Sequence, residues 1–323
     1  MKPPFDITPT ILNQCLNIAQ QIGVLQGLRY STPPVELRRT NQLKGIQSSL
    51  AIEGNTLTLD DITAINHHQP IVAKPREVLE AKNALAVYKK LTHWQPYSME
   101  SFKKAHAMMM QDLIKEAGHW RTKNVGVYAG KQLTHMAPPA EKIPQLMRHL
   151  FEFLKAQDDI SLLIKACVFH YEIEFIHPFM DGNGRIGRLW QQIILMCFNP
   201  IFEFIPVETL IKSHQDEYYD VLKTCDHIGN STAFIEFSLT LIHQALRAFY
   251  DTISYQPKTA KDRLMTAQQA FSRKEFSRKE YSSLFKSIST ATASRDLALG
   301  VQEGMLKKKG EKARTLYWFF DRN

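Results

Sequence analysis

The chain has 323 residues, of which 44% are hydrophobic and 22% charged, with a formal net charge of +8 and four cysteines. That length supports two domains and a core without disulfide staples, and the cysteines stand singly with no CxxC pair, which argues against a disulfide framework or a cysteine metal site. No stretch reaches the roughly 18 apolar residues of a membrane helix, and MKPPFDITPT has no apolar run behind its charge; the expectation is a soluble, cytoplasmic protein with no membrane partner.

In chain order, residues 9–28 place Ile11, Leu12, Leu16, Ile18, Ala19, Ile22 and Leu25 at helical spacing, and Gly27 ends the run. Pro34 opens a second helix through Leu37, Leu43 and Ile46 to about Ala51. Helical periodicity returns over 75–92, 98–114, 140–156, 159–175, 185–198, 207–226 and 231–254. Residues 124–136 break the pattern with short β-prone pieces around Ala129-Gly130-Lys131, as in a hairpin, and Pro138-Pro139 closes it. Pro257 then stops the last helix, and FSRKEFSRKEY repeats a polar pentapeptide, which places a linker at 255–262.

Charge follows this division. Beyond Pro257 there are 15 Lys and Arg against 7 Asp and Glu, which leaves 25 against 25 before it. A neutral body with a basic end implies different partners for the two, the second an acidic polymer or merely solvent.

Residues 177–188, HPFMDGNGRIGR, concentrate the chemistry. Gly182-Asn183-Gly184 form a tight turn into a helix, where free N–H groups favour a phosphate. Arg185 and Arg188 share a helical face and suit further phosphate oxygens, and Asp181 is a hard carboxylate for Mg²⁺. His177 is a general base near neutral pH. A base, a metal ligand, an anion nest and two arginines describe transfer of a phosphate-containing group to a hydroxyl.

The same run resembles the HPFx[D/E]GNGRxxR signature of Fic proteins, helical enzymes most of which transfer AMP from ATP to a Ser, Thr or Tyr hydroxyl of a target protein. The resemblance implies a mainly α Fic-type bundle with a small β-hairpin flap. It makes His177 the base, Asp181 the Mg²⁺ ligand on the α- and β-phosphates, and Phe179 the anchor of the loop. Gly182, Asn183 and Gly184 would hold the transferred phosphate, and Arg185 and Arg188 the β- and γ-phosphates. The 124–136 hairpin would dock a target segment by strand addition, and Tyr219, beside Tyr218, would lie near adenine. Ser48-Ser-Leu-Ala-Ile-Glu-Gly-Asn55 contains [S/T]xxxE[G/N], with Ser49, Glu53 and Gly54 at the fixed places, and resembles the inhibitory helix of many Fic proteins. HMAPPAEKIPQLM, FHYEIEFIHPF and PVETL extend the likeness over most of 30–250.

The expected division is an N-terminal helical region with the inhibitory helix over 1–95, a catalytic core over 96–254 and a winged helix-turn-helix over 263–323. In the last, helices at Glu280–Phe285 and Ser289–Glu303 precede two strands within Met305–Phe319. Thr290, Thr292, Ser294 and Arg295 would face duplex DNA and Lys307, Lys308, Lys309 and Arg314 its phosphates, the alternative being a protein-docking or dimer module, and Leu284, Ile288, Leu297, Leu299, Leu306 and Trp318 would face the core. The expected activity is autoinhibited adenylyl transfer to target proteins and to itself. The alternatives are removal of AMP, transfer of another nucleotide or phosphate, and a DNA-binding regulator whose Fic core only senses nucleotide. A homodimer remains open.

Overall fold

The computed structural model describes residues 2–27, 35–129, 132–254, 259–272, 274–285, 288–310 and 315–320, with backbone alone at 127–129, 132–135 and 254. The chain forms two compact units, Met1–Tyr250 and Asp251–Asn323.

The first unit is helical. Its elements are α1 (Pro9–Gly27), α2 (Val35–Ile52), α3 (Leu59–Asn66), α4 (Pro75–Tyr88), α5 (Met99–Met109), strands β1 (Gly126–Ala129) and β2 (Gln132–Met136), α6 (Ile143–Lys155), α7 (Leu162–Ile176), α8 (Asn183–Phe198), α9 (Val207–Ser213), α10 (Gln215–Ile228) and α11 (Thr232–Ser254). α7 is buried along most of its length, from Leu163 to Tyr171, so it forms the centre of the bundle. α8 packs beside it, where Gln191 Oε1 lies 2.9 Å from His170 Nδ1 and a Cβ on Gly187 would meet Ile173. Phe179, in the loop between them, is fully buried; its ring lies 5.6 Å from Phe102 and 4.8 Å from Trp120, and Phe102 meets Trp190 edge-on at 5.0 Å. This aromatic cluster ties the loop into the core.

Two elements differ from the sequence expectation. α3 was not expected. Its sequence is short and weakly patterned, but Thr58 and Asp61 make a reciprocal capping box that starts it. The single helix expected over 207–226 divides into α9 and α10 at His214, whose amide and ring Nδ1 both donate to the Leu210 carbonyl at 3.0 and 2.9 Å. The hairpin is present as antiparallel β1–β2, its register shifting between Val127 and Tyr128; Gly130 and Lys131 at the expected tip lie outside the described residues, as does Pro34.

The second unit comprises α12 (Ala260–Phe271), β3 (Phe276–Ser277), α13 (Arg278–Ser283), α14 (Thr290–Gln302), β4 (Leu306–Lys309) and β5 (Leu316–Phe319), with antiparallel strands in the order β3-β5-β4. α12, capped by Thr259 and Asp262, occupies the second half of the expected linker, and residues 255–258 lie outside the described ones. The core is Leu264, Ala267, Phe276, Tyr281, Phe285, Ala293, Leu297, Leu306 and Phe319. Of the residues expected inward, Leu297 and Leu306 are buried, Ile288, Leu299 and Trp318 are half-buried, and Leu284 is exposed. On β5 the buried position is Phe319, one residue beyond Trp318, because a shift of one residue along a strand moves a side chain to the other face.

Candidate active site

The 177–188 loop is shaped by its own backbone. α7 ends at Ile176, and His177 turns into the left-handed region at φ 48°, ψ 60° while its amide still reaches the Ile173 carbonyl at 3.0 Å. A left-handed histidine is uncommon and stores strain, a pattern found at functional sites. Gly182, at φ 84°, completes the turn and precedes α8 without any side-chain cap, so the first N–H groups of α8 point out of the helix end. Asn183 spends its side chain within the loop. Its Oδ1 accepts from the Phe179 amide at 2.9 Å and its Nδ2 donates to the Phe179 carbonyl at 3.0 Å. The side chain thus closes the loop, and what it leaves for a phosphate is its backbone N–H.

His177 is half-buried, with Nδ1 3.4 Å from the Glu174 carbonyl. A carbonyl only accepts, so that contact places the proton on Nδ1 and leaves Nε2 as the basic nitrogen. Burial lowers the pKa of His177, opposed by the nearby Glu174 and Glu53 carboxylates. Asp181 accepts from the Gly182 amide at 2.6 Å and Arg185 Nη2 at 2.9 Å through Oδ1, and from Arg76 Nη2 at 3.3 Å through Oδ2. Its side chain is 38% exposed, open to a cation arriving with phosphates. No cluster of three His, Cys, Asp or Glu suited to a metal occurs among the described residues. A single carboxylate nonetheless fits Mg²⁺, which commonly takes one or two carboxylates with phosphate oxygens and water.

Arg185 is buried, lies 3.7 Å from Glu80, and keeps an Nε with no partner among the described residues. Arg188 is occupied. Its Nη2 donates to Glu53 Oε1 at 2.7 Å and to the Ser49 carbonyl at 3.0 Å, and its Nε to Ser49 Oγ at 3.1 Å. Burial would depress the Arg188 pKa, but the carboxylates around it hold it up. A Cβ placed on Gly184 would collide with Glu53 Oε1 and sit 3.2 Å from Glu174 Oε1. The Glu53 carboxylate therefore lies directly over the glycine turn, where an anion would sit. Gly54, at φ 88°, follows α2 in the conformation that ends a helix.

The carbonyls at that helix end are also held. Lys212 Nζ donates to the Ala51 carbonyl at 3.0 Å, and Gln215 Nε2 and Tyr219 OH donate to that of Ile52 at 3.1 and 3.3 Å. Tyr219 is half in solvent beside Glu53's helix, whereas Tyr218 is buried and bonds Glu174 Oε1 at 3.0 Å and His170 Nε2 at 3.1 Å.

Sequence reading missed several residues here. His106 is stacked on Phe179 at 3.5 Å, takes the Gly118 amide on Nδ1 at 2.9 Å, and donates from Nε2 to the Asp181 carbonyl at 2.8 Å. Burial pushes its pKa down to about 4, so it is a neutral brace. Arg121, Lys212 and Gln215 were missed for the same reason: each acts on backbone carbonyls far away in sequence, and no local motif records that.

A family model described as Fic/DOC matches residues 96–195, a span that includes the loop and the hairpin. The crystal structure of a Fic family protein from Desulfovibrio desulfuricans G20 is 34% identical, with a TM-score of 0.78 over 100% of this chain and 99% of that one. The chain belongs to the Fic family. Its fold is the mainly helical Fic fold, also seen in Fic-1 of C. elegans, 20% identical with a TM-score of 0.60 over 75% of this chain and 73% of that one. Among curated relatives, the protein adenylyltransferase Fic of Nematostella vectensis is 28% identical over 221 residues, covering 66% of this chain and 49% of that protein. This Fic chain thus spans about half the length of the curated relatives it matches. No helix among its described residues is long and apolar enough to cross a membrane.

Proposed function

We propose that this Fic protein is an autoinhibited protein adenylyltransferase. The observation that carries the reading is that one loop and the helix it opens bring together a helix end without a cap, Arg188 close to Gly184, Arg185 with an Nε that has no partner among the described residues, and His177 with its Nδ1 turned to the Glu174 carbonyl. A target Ser, Thr or Tyr oxygen would attack the α-phosphorus of ATP. The new O–P bond forms, the bond to the β-phosphate oxygen breaks, pyrophosphate leaves, and the hydroxyl proton passes to His177 Nε2. The N–H groups of Asn183 and Gly184, joined by that of Gly182 once Asp181 Oδ1 releases it, would receive the transferred phosphate, and Arg185 and Arg188 the β- and γ-phosphates. Tyr219 would border the adenine. Asp181 would hold Mg²⁺, which supplies charge neutralisation on the phosphates when bound.

The Glu53–Arg188 pair supports the inhibitory reading, with Ser49 and Gly54 setting the approach of that helix. While Glu53 lies over the glycine turn, it competes with phosphate for the same cation and the same space. Intact-mass measurement with Mg²⁺ and ATP should show self-labelling that rises in Glu53→Gly and disappears when His177→Ala is added. Labelling that survives the histidine change would sink the mechanism. A base so placed favours an enzyme over a nucleotide sensor, which needs the cradle but no base; removal of AMP, or transfer of another group, would use the same residues, and a product-resolved assay separates them.

A second reading concerns the C-terminal unit, where the charge excess and the exposed Lys307, Lys308 and Lys309 support a winged helix contacting duplex DNA. Thr290 and Arg295 on α14 are exposed, Thr292 and Ser294 half-buried, and Arg314 lies outside the described residues. Salt-dependent binding of duplex DNA that is flattened by alanine at the three lysines would support it, and its absence at low salt would remove it. Sedimentation of the full chain decides whether it dimerises.

A further inference from the structure

One buried side chain joins the flap to the catalytic base. Arg121, 2% exposed, lies between α5 and β1, and its guanidinium is spent wholly on backbone carbonyls. Nε donates to the carbonyl of His177 itself at 2.7 Å. Nη1 donates to Lys123 at 2.7 Å, three residues before β1. Nη2 donates to Pro138 at 2.6 Å, two residues after β2, and to Ile176 at 3.3 Å. The Arg121 amide adds a bond to the Pro178 carbonyl at 2.9 Å. Both feet of the hairpin and three consecutive carbonyls of the catalytic loop therefore meet on one residue. The two feet are also tied to each other, by the Asn124 Oδ1 acceptor for the Ala140 amide at 2.9 Å. Only a planar fork of five donors can serve four carbonyls at fixed angles; a lysine ammonium offers three and no plane.

We propose that Arg121 is a positioning residue that sets the height of the flap relative to His177. A target strand paired to the edge of β1–β2 then presents its hydroxyl at a fixed distance from the ring. This rests on the adenylyl-transfer reading, because only a hydroxyl delivered from the flap needs that distance. Water needs no flap, so release of AMP to water reports on the base and the nucleotide site alone. A misplacement of about 1 Å at a reacting centre costs on the order of a hundredfold in rate.

The test compares Glu53→Gly with Glu53→Gly/Arg121→Lys in the full chain. AMP transfer to protein should fall by about a hundredfold and AMP release to water by much less, while ATP affinity stays close to the parent. Amide exchange over Gly126–Met136 should accelerate. A parallel fall of transfer and water release would make Arg121 merely structural and overturn the proposal, as would an unchanged transfer rate. Where the lysine variant does not fold, Asn124→Ala, at an exposed site, loosens the same feet; it should lower transfer but not water release, and equal effects on both overturn the proposal. A parent that transfers nothing removes the adenylyl-transfer reading instead, and unchanged hairpin exchange then removes the Arg121 coupling on its own.

Discussion

Each unit contains a buried arginine paired with a carboxylate, and the two pairs are built for opposite purposes. In the C-terminal unit, Arg263 grips Asp296 with two parallel bonds, Nε to Oδ2 at 2.6 Å and Nη2 to Oδ1 at 2.9 Å, and Tyr281 OH adds a third at 3.2 Å. Both carboxylate oxygens are engaged and the side chain is 2% exposed. In the Fic unit, Glu53 uses only Oε1 among the described residues, and its side chain is 32% exposed although that of Arg188 is 1% exposed. A fully engaged, dry pair separates only at the cost of leaving each ion buried away from its counter-charge. A singly bonded carboxylate at the edge can exchange for water or for a phosphate. The difference lies in how many bonds the acid makes, not in the type of ion pair.

The largest effect should follow from breaking the closed pair. Asp296→Ala leaves Arg263 buried without its acid, a cost of about 3–5 kcal/mol. Calorimetry should show the transition of the C-terminal unit lowered or lost, with the Met1–Tyr250 transition and ATP-dependent self-labelling retained. Loss of both transitions together would mean that the pair does not belong to one unit alone. Glu53→Gly should act in the reverse sense, changing activity more than stability. One charge-assisted bond is worth about 1.5–3 kcal/mol, so the open population, and with it the labelling rate, should rise roughly ten- to a hundredfold. Glu174 stays beside Arg188 in that variant, and added ATP should restore any small loss of melting temperature. A melting loss as large as that of Asp296→Ala would show the two pairs to be alike.

A smaller gain is expected from the helix end that carries Glu53. Lys212→Met removes the donor to the Ala51 carbonyl without touching the nucleotide residues. About 1 kcal/mol of lost hydrogen bonding corresponds to roughly a fivefold rise in labelling. The rise should be absent when the same change is made in Glu53→Gly, where there is no inhibitory contact to loosen. A rate that rises equally in both backgrounds would place Lys212 outside the control of Glu53.

The same contrast explains what was legible in the sequence. The loop from His177 to Arg188 could be read because its chemical groups are consecutive in sequence and its internal contacts, such as Asp181 with Arg185 and Phe179 with Asn183, span four positions; the [S/T]xxxE[G/N] run could be read because its spacing lies on one helix. The pairing of Arg263 with Asp296, thirty-three positions on, had no such signal. The repeated FSRKE shows the limit most directly. In the first copy Phe271 is the last residue of α12, and in the second Phe276 is a strand residue followed by Ser277 and Glu280 as a capping box, with the two rings stacked at 4.2 Å. Identical pentapeptides end one helix and begin another because packing around Phe276, not local preference, decides the outcome. His106 and Arg121 were invisible on similar grounds, since both bond to carbonyls whose positions only the fold supplies.

The smallest expected effect is a displacement of the pH profile. His177 must be neutral to accept a proton, and burial holds its pKa below the ordinary 6.5. As pH falls, the rate should therefore stay level through 6.5 and decline only when the lowered pKa is reached. Glu53 opposes this by favouring the imidazolium, so its removal leaves less stabilisation for the proton and the acid limb of Glu53→Gly should lie lower still. Glu174 acts in the same direction and more strongly. Adding Glu174→Gln, which keeps an amide oxygen to accept from Tyr218 OH, should thus carry the limb further down. The dependence of kcat/KM on pH reports the free enzyme and is the quantity to measure. An acid limb that moves upward on losing either carboxylate would mean that His177 is not the group being titrated.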